Sequence, residues 1–151
     1  MDQIEIIPLT DSFLCDVVTI SEKSLYETIT EKLLREFLQY DYNVFYVAYD
    51  KNESGILGFV GTSYTIDEGE LLYIAVDPSS RRQGIGQKLL NRVFSDMEKK
   101  DICRLLLEVR ESNKTALEFY EKNDFRTLTV RKSYYTQPEE NGIIMEKIIT
   151  Q

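Results

Sequence analysis

Glu108 closes the apolar run LLLEV at 105–109, where a carboxylate is costly unless it is paired, hydrated at the strand end or functional. Pairing would fall to Arg110 or another nearby cation. Glu70 opens a second apolar run and, with a period of two, shares a face with Leu72, Ile74 and Val76. Asn113 and Tyr120 stand seven residues apart, so on a helix they share one face along which a ligand could lie. There is no histidine among the 151 residues, so any acid or base must come from Asp, Glu, Tyr, Lys, Cys or a terminus. Cys15 and Cys103 have no CxxC spacing, which reads as a reduced, cytoplasmic protein without zinc.

The stretch SSRRQGIGQK at 79–88 points to an anion. It lies where an apolar strand, ELLYIAVDP, gives way to an amphipathic helix. The first turn of a helix carries N–H groups without partners and about half a positive charge. Gly84 and Gly86 remove Cβ atoms there, and Arg81, Arg82 and Lys88 add mobile charge. GxxxxGK[ST] is absent, and Leu89 stands where a dinucleotide fingerprint needs its third glycine.

The elements that must position these groups follow from periodicity. IEIIPL reads as a strand ended by Pro8, and residues 11–39 as helical, with Ser24 as a cap. Residues 43–50, 56–66 and 70–78 read as a three-strand meander, with the NESG turn using Gly55 for a positive φ. A helix of about four turns follows from Ile85, with Leu89, Leu90, Val93, Phe94 and Met97 on its apolar face. Residues 102–109 read as a strand covered on both faces, and 112–123 as a helix capped by Ser112. Strands at 125–132 and 142–149 close the chain, joined through an Asn141–Gly142 turn. This order predicts one α+β domain over residues 1–151, a three-layer α/β/α arrangement around a mixed sheet.

Composition narrows the function. The content is 42% hydrophobic and 29% charged, which suits one filled core. A formal net charge of −8 argues against nucleic acid and suits a cationic substrate, although acidity serves solubility equally. No apolar run approaches the ~20 residues of a membrane span. The opening MDQIEIIPLT lacks the basic-then-apolar pattern of a signal peptide, so a cytoplasmic location is expected.

Arg81-Arg82-Gln83-Gly84-Ile85-Gly86 fits [R/Q]-x-x-G-x-[G/A], and in this context it resembles the pyrophosphate-binding motif of the GNAT N-acetyltransferases. YIAVDPSSRRQGIGQKLL, LLLEVRESNKTALEFYEKNDF, VRKSYY and IIMEKII together resemble the branch that acetylates the N-terminal alanine of ribosomal proteins. The resemblance is dense from about residue 71 to 135 and poor before residue 56.

It implies acetyl-coenzyme A as co-substrate, with no metal. The pyrophosphate would lie on residues 81–88, including Gln87 and Lys88. The pantetheine arm would lie beside Ile74, Ala75 and Val76, and Asn113 would contact coenzyme A. The Glu of LEVR, Glu108, would be the general base and Tyr120 the proton donor to the departing thiolate. Other GNAT enzymes place the base at the position of Glu70. Tyr134 and Tyr135 match a pair near the acceptor.

An α-ammonium, with a pKa of about 7.7–8.0, yields its proton to a carboxylate more readily than lysine at about 10.4. With this preference, the resemblance implies a protein N-terminal α-amine, such as that of a ribosomal protein, as the acceptor. A small amine such as a polyamine or amino sugar, and a non-catalytic acyl-coenzyme A-binding module, are the alternatives. The departures lie on the acceptor side: SEKSLYETITEKLLREF lacks the family's Trp and Pro, and Tyr73 stands where Asn is common. Monomer and homodimer both stay open.

Overall fold

Alternating apolar residues form the strands of one sheet, and the 3.6-residue stripes form helices that cover its two faces. A computed structural model describes residues 3–149. In chain order the strands are β1 (Ile4–Pro8), β2 (Asn43–Asp50), β3 (Gly55–Tyr64), β4 (Gly69–Val76), β5 (Arg104–Arg110), β6 (Arg126–Thr136) and β7 (Glu139–Ile148). The helices are α1 (Leu14–Ser24), α2 (Glu31–Leu38), α3 (Ile85–Lys99) and α4 (Lys114–Lys122). The sheet runs β1-β2-β3-β4-β5-β7-β6. Its pairs are antiparallel except β4 with β5, which the α3 crossover makes parallel.

Each face has its own core. Leu89, Leu90, Val93 and Met97 of α3 pack with Leu71, Leu105, Leu107 and Met145 on one side. On the other, Leu14 and Val17 of α1 and Leu34 of α2 pack with Phe45, Val47, Phe59 and Ala75. Tyr73, at the position where Asn was expected, joins this second core against Phe37 and Phe45. The three-layer α+β arrangement is as expected.

Four local readings differ. Residues 11–39 are two helices, because the β-branched run Thr28-Ile29-Thr30 favours extended backbone and Thr30 caps α2 by accepting from Leu33 N. Ser24 is therefore the last residue of α1, and its hydroxyl donates to the Val76 carbonyl at 3.1 Å. Asn113, one residue after Ser112, caps α4 through Ala116 N. The positive φ before β3 falls on Ser54 (56°) and not on Gly55. The last hairpin turns at Gln137–Pro138, so Asn141 and Gly142 lie within β7. There Asn141 accepts from Ser133 N at 2.9 Å and holds a kink in β6 between Arg131 and Tyr135.

Candidate active site

The cleft begins where the parallel ladder stops. β4 and β5 pair only at Gly69–Leu105 and Glu70–Leu106, and then diverge. The divergence coincides with an extra residue in β4: Tyr73 faces Gly61 and Leu71 faces Thr62, which leaves Leu72 over. Leu71, Ile74 and Val76 consequently pack on the α3 side, while Tyr73 and Ala75 pack on the other. This corrects the expectation that Glu70 shares a face with Ile74 and Val76. A strict period of two does not survive the bulge, and Glu70 points away from α3 toward the face that carries Glu108.

β5 is likewise not covered on both faces. Leu105, Leu107 and Val109 are buried, but Leu106 and Glu108 are only partly so, because the cleft replaces packing there.

A cavity of about 1100 Å3 follows the gap, bordered by Ile74, Ala75, Val76, Asn113 and Tyr120. Its far end is the start of α3. Asp77 accepts from Ser79 N at 3.0 Å and fixes the turn that leaves β4. Arg82 (φ 67°) and Gly84 (φ 74°) then bend the chain so that α3 starts with no side-chain cap and no acidic residue in its first turn. An added Cβ at Gly86 would come no nearer than 3.6 Å to Phe119, so packing does not demand this glycine. Its lack of a side chain leaves the N–H groups of the first turn uncovered, and a Cβ at Gly84 would meet nothing within 4 Å, which fits a pyrophosphate. Arg81, Arg82, Gly84, Ile85, Gly86 and Gln87 border the cavity, whereas Gln83 and Lys88 do not. The Gln87 amide donates to Asn91 (2.9 Å) and Asn123 (2.8 Å), and Asn113 Oδ1 is taken by the α4 cap.

Tyr120 is buried against Phe119 and Phe125. Burial pushes its phenol well above the ordinary value, so the hydroxyl stays protonated and able to donate.

A second cavity of about 710 Å3 adjoins the first and contains Tyr26, Glu27, Glu70, Glu108, Arg110, Tyr134 and Tyr135. Glu108 borders both cavities; Glu70 borders only this one. Glu108 Oε1 is fully buried and has no hydrogen-bond partner among the described residues. Burial raises the Glu108 carboxyl above its ordinary value; the Arg131 charge and the Tyr134 hydroxyl oppose this, and the Glu70 charge adds to it. Arg110, the obvious cation for Glu108, is paired instead with Glu140 at 3.1 Å. Burial, aided by Glu108, pushes Tyr135 up to about 12.

Sequence reasoning missed Tyr26, Glu27 and Arg110 as parts of this pocket, and Gly142 as the residue packed against Glu108 and Tyr134. Gly142 is close-packed: a Cβ there would lie 3.3 Å from Glu108 Oε1 and 3.3 Å from the Tyr134 ring. No local pattern announces it, since its need arises from a neighbouring strand.

Among the described residues, no helix is long and apolar enough to cross a membrane. The acetyltransferase (GNAT) family matches residues 14–125. The [ribosomal protein bS18]-alanine N-acetyltransferase of Escherichia coli K12 is 39% identical over 103 residues, which cover 66% of this chain and 70% of that protein. A putative [ribosomal protein bS18]-alanine N-acetyltransferase of Bacillus subtilis is 33% identical over 95 residues, or 63% of each chain. The crystal structure of the Escherichia coli ribosomal-protein-S18-alanine N-acetyltransferase superposes with a TM-score of 0.88 at 31% identity, covering 98% of this chain and 95% of that one. Ard1 from Thermoplasma volcanium gives 0.91 at 26% identity, covering 99% and 100%. With a divided sheet, an uncapped glycine-rich helix start and these relatives, the chain belongs to the GNAT family of acetyltransferases.

Proposed function

We propose that the protein transfers the acetyl group of acetyl-coenzyme A to the α-amine of a protein N-terminus, with the alanine terminus of a ribosomal protein as the leading acceptor. The observation that carries this reading is the place of Glu108, whose carboxyl borders both the donor groove and the acceptor pocket. The whole of residues 1–151 acts as one domain in this reading. The free, exposed Cys15 and Cys103 suit a reducing cytoplasm.

Bound acetyl-coenzyme A supplies a thioester carbonyl for attack by the amine. The N–H groups at the start of α3 and the side chains of Arg81 and Arg82 hold its pyrophosphate, and the free edge at 74–76 holds its amide-bearing arm. At that edge the Val76 carbonyl is already used by Ser24 and the Ala75 main chain faces β3, which leaves the Ile74 N–H and carbonyl and the Val76 N–H for the ligand. Glu108 takes the proton of the α-ammonium, directly or through water. The new C–N bond forms as the C–S bond breaks, the Tyr120 hydroxyl hydrogen-bonds the departing thiolate, and the second proton of the attacking nitrogen passes to that sulfur, through Tyr120 or water, to give the free thiol. The carboxylates of Glu27, Glu70 and Glu108 favour a cationic acceptor in the pocket. Of the two candidate bases, Glu108 is favoured, because it borders both cavities whereas Glu70 does not border the donor groove, and because burial raises the Glu108 carboxyl.

A thiol-release assay across N-terminal peptides, internal-lysine peptides and small amines tests the reading. Turnover is expected with free N-terminal peptides foremost; turnover confined to small amines would refute the acceptor assigned here.

A further inference from the structure

We propose that Arg110 is a positioning residue for the acceptor: it clamps the 25–30 linker to the β6–β7 hairpin and so sets the width of the acceptor pocket. Its guanidinium lies between two rings, with the carbon 4.2 Å from the Tyr26 centroid and 4.1 Å from the Tyr135 centroid. In its own plane Nη1 donates to Pro138 O at 3.2 Å and to Glu140 at 3.1 Å. The other Glu140 oxygen accepts from Ser112 N at 2.9 Å. The cation is only 8% exposed, so it is fixed on the hairpin and on the approach to α4.

The linker is anchored at its two ends. Leu25 N donates to Ser21 O at 2.9 Å, and Ile29 N donates to Ser21 Oγ at 3.1 Å. Residues 26–28 between them are exposed, Tyr26 by 66%. What seats the Tyr26 ring is therefore the guanidinium beneath it. Tyr26 and Tyr135 both border the acceptor pocket, and Glu27 follows Tyr26 into it. A flat cation can stack on both faces while donating at its rim; an ammonium cannot. The same arrangement explains how an arginine lines a pocket meant for a cationic amine. Glu140 neutralises its charge and two rings cover its faces.

The kinetic part of the test rests on the proposed acceptor; the structural part does not. Hydrogen exchange at the 25–30 amides, the acetyl-coenzyme A dissociation constant, and kcat and KM for an N-terminal peptide are measured on the full chain. The variants are Arg110→Lys, Tyr26→Ala and Tyr26→Phe. Arg110→Lys and Tyr26→Ala are expected to speed exchange at 25–30 and to raise acceptor KM, each about tenfold. Over the same variants kcat stays within about threefold and donor affinity within about twofold. Tyr26→Phe keeps a π face and restores both readouts to within about twofold of wild type. Arg110 is buried and its replacement can fail to fold, so Tyr26→Ala, at an exposed position, decides alone in that event. Unchanged exchange at 25–30 in Tyr26→Ala overturns the clamp, as does a parallel loss of kcat and donor affinity. A wild-type enzyme that ignores N-terminal peptides defeats the acceptor reading instead, while the exchange result still judges the clamp.

Discussion

The two ends of the cleft are built from different material. The end proposed for the acetyl donor is main chain: an uncapped helix start, two residues at positive φ, and a strand edge with no paired strand among the described residues. The end proposed for the acceptor is side chains: Tyr26, Glu27, Glu70, Glu108, Arg110, Tyr134 and Tyr135, drawn from four separate segments. A backbone site depends on conformation and tolerates change in the side chains around it. A side-chain site changes with each substitution. One donor can thus be kept while acceptors are exchanged, and the two ends should respond to mutation in different kinetic constants.

The largest separation is expected from Glu108→Gln. It should lower kcat by about 10²–10⁴ with donor affinity unchanged, whereas Glu70→Gln should act mainly on acceptor KM. Equal loss of kcat in both variants would make the two carboxylates joint bases. The Glu108 carboxyl is raised in the folded state, so its ionised form is disfavoured there and stability falls as pH rises through that value. Glu108→Gln should therefore melt about 2–4 °C higher than wild type at neutral pH and not at acid pH, by calorimetry.

Tyr120→Phe comes next, with kcat down about a hundredfold and donor binding by titration calorimetry within about twofold. At the donor end, Gly86→Val should weaken acetyl-coenzyme A about tenfold or more by filling the space over the helix start. Melting should barely move, because the protein itself leaves room for a Cβ there. Gly84→Ala reverses that pattern: φ of 74° makes it cost about 1 kcal/mol of stability in denaturant titration. The smallest effect concerns pH. The acid limb of kcat/KM should follow Glu108 and rise with pH. Removing the opposing charge in Arg131→Ala should move it upward.

The same contrast governs what could be read from the sequence. The donor end was legible because strand, loop and helix are consecutive, and the residues that matter lie within 74–88. The helix periods of α3 and α4 and the three-layer arrangement were legible for the same local reason, whereas the single core expected from composition is two, one on each face of the sheet. The Leu72 bulge was not, because an extra residue exists only relative to a partner strand. It turned Glu70 to the other face. The 25–30 linker was hidden by apolar spacing that runs on through Leu25 and Ile29, although the β-branched Thr28–Thr30 run marked the break. Arg110 was visible only as a possible partner for Glu108. Its real partners, Tyr26, Tyr135 and Glu140, are far away in the chain, and no spacing rule connects them.

Two residue pairs join β4 to β5, against seven between β5 and β7. The sheet is thus two half-sheets fastened at one end, with a gap between them at the other. Whatever binds there binds the native chain and not the unfolded one, and adds about 2.7 kcal/mol of stability at a hundredfold excess over its dissociation constant. Heat resistance of this enzyme should therefore rise and fall with the supply of its acetyl donor. The molecule is sturdiest when it is charged for work and weakest at the seam when it is starved.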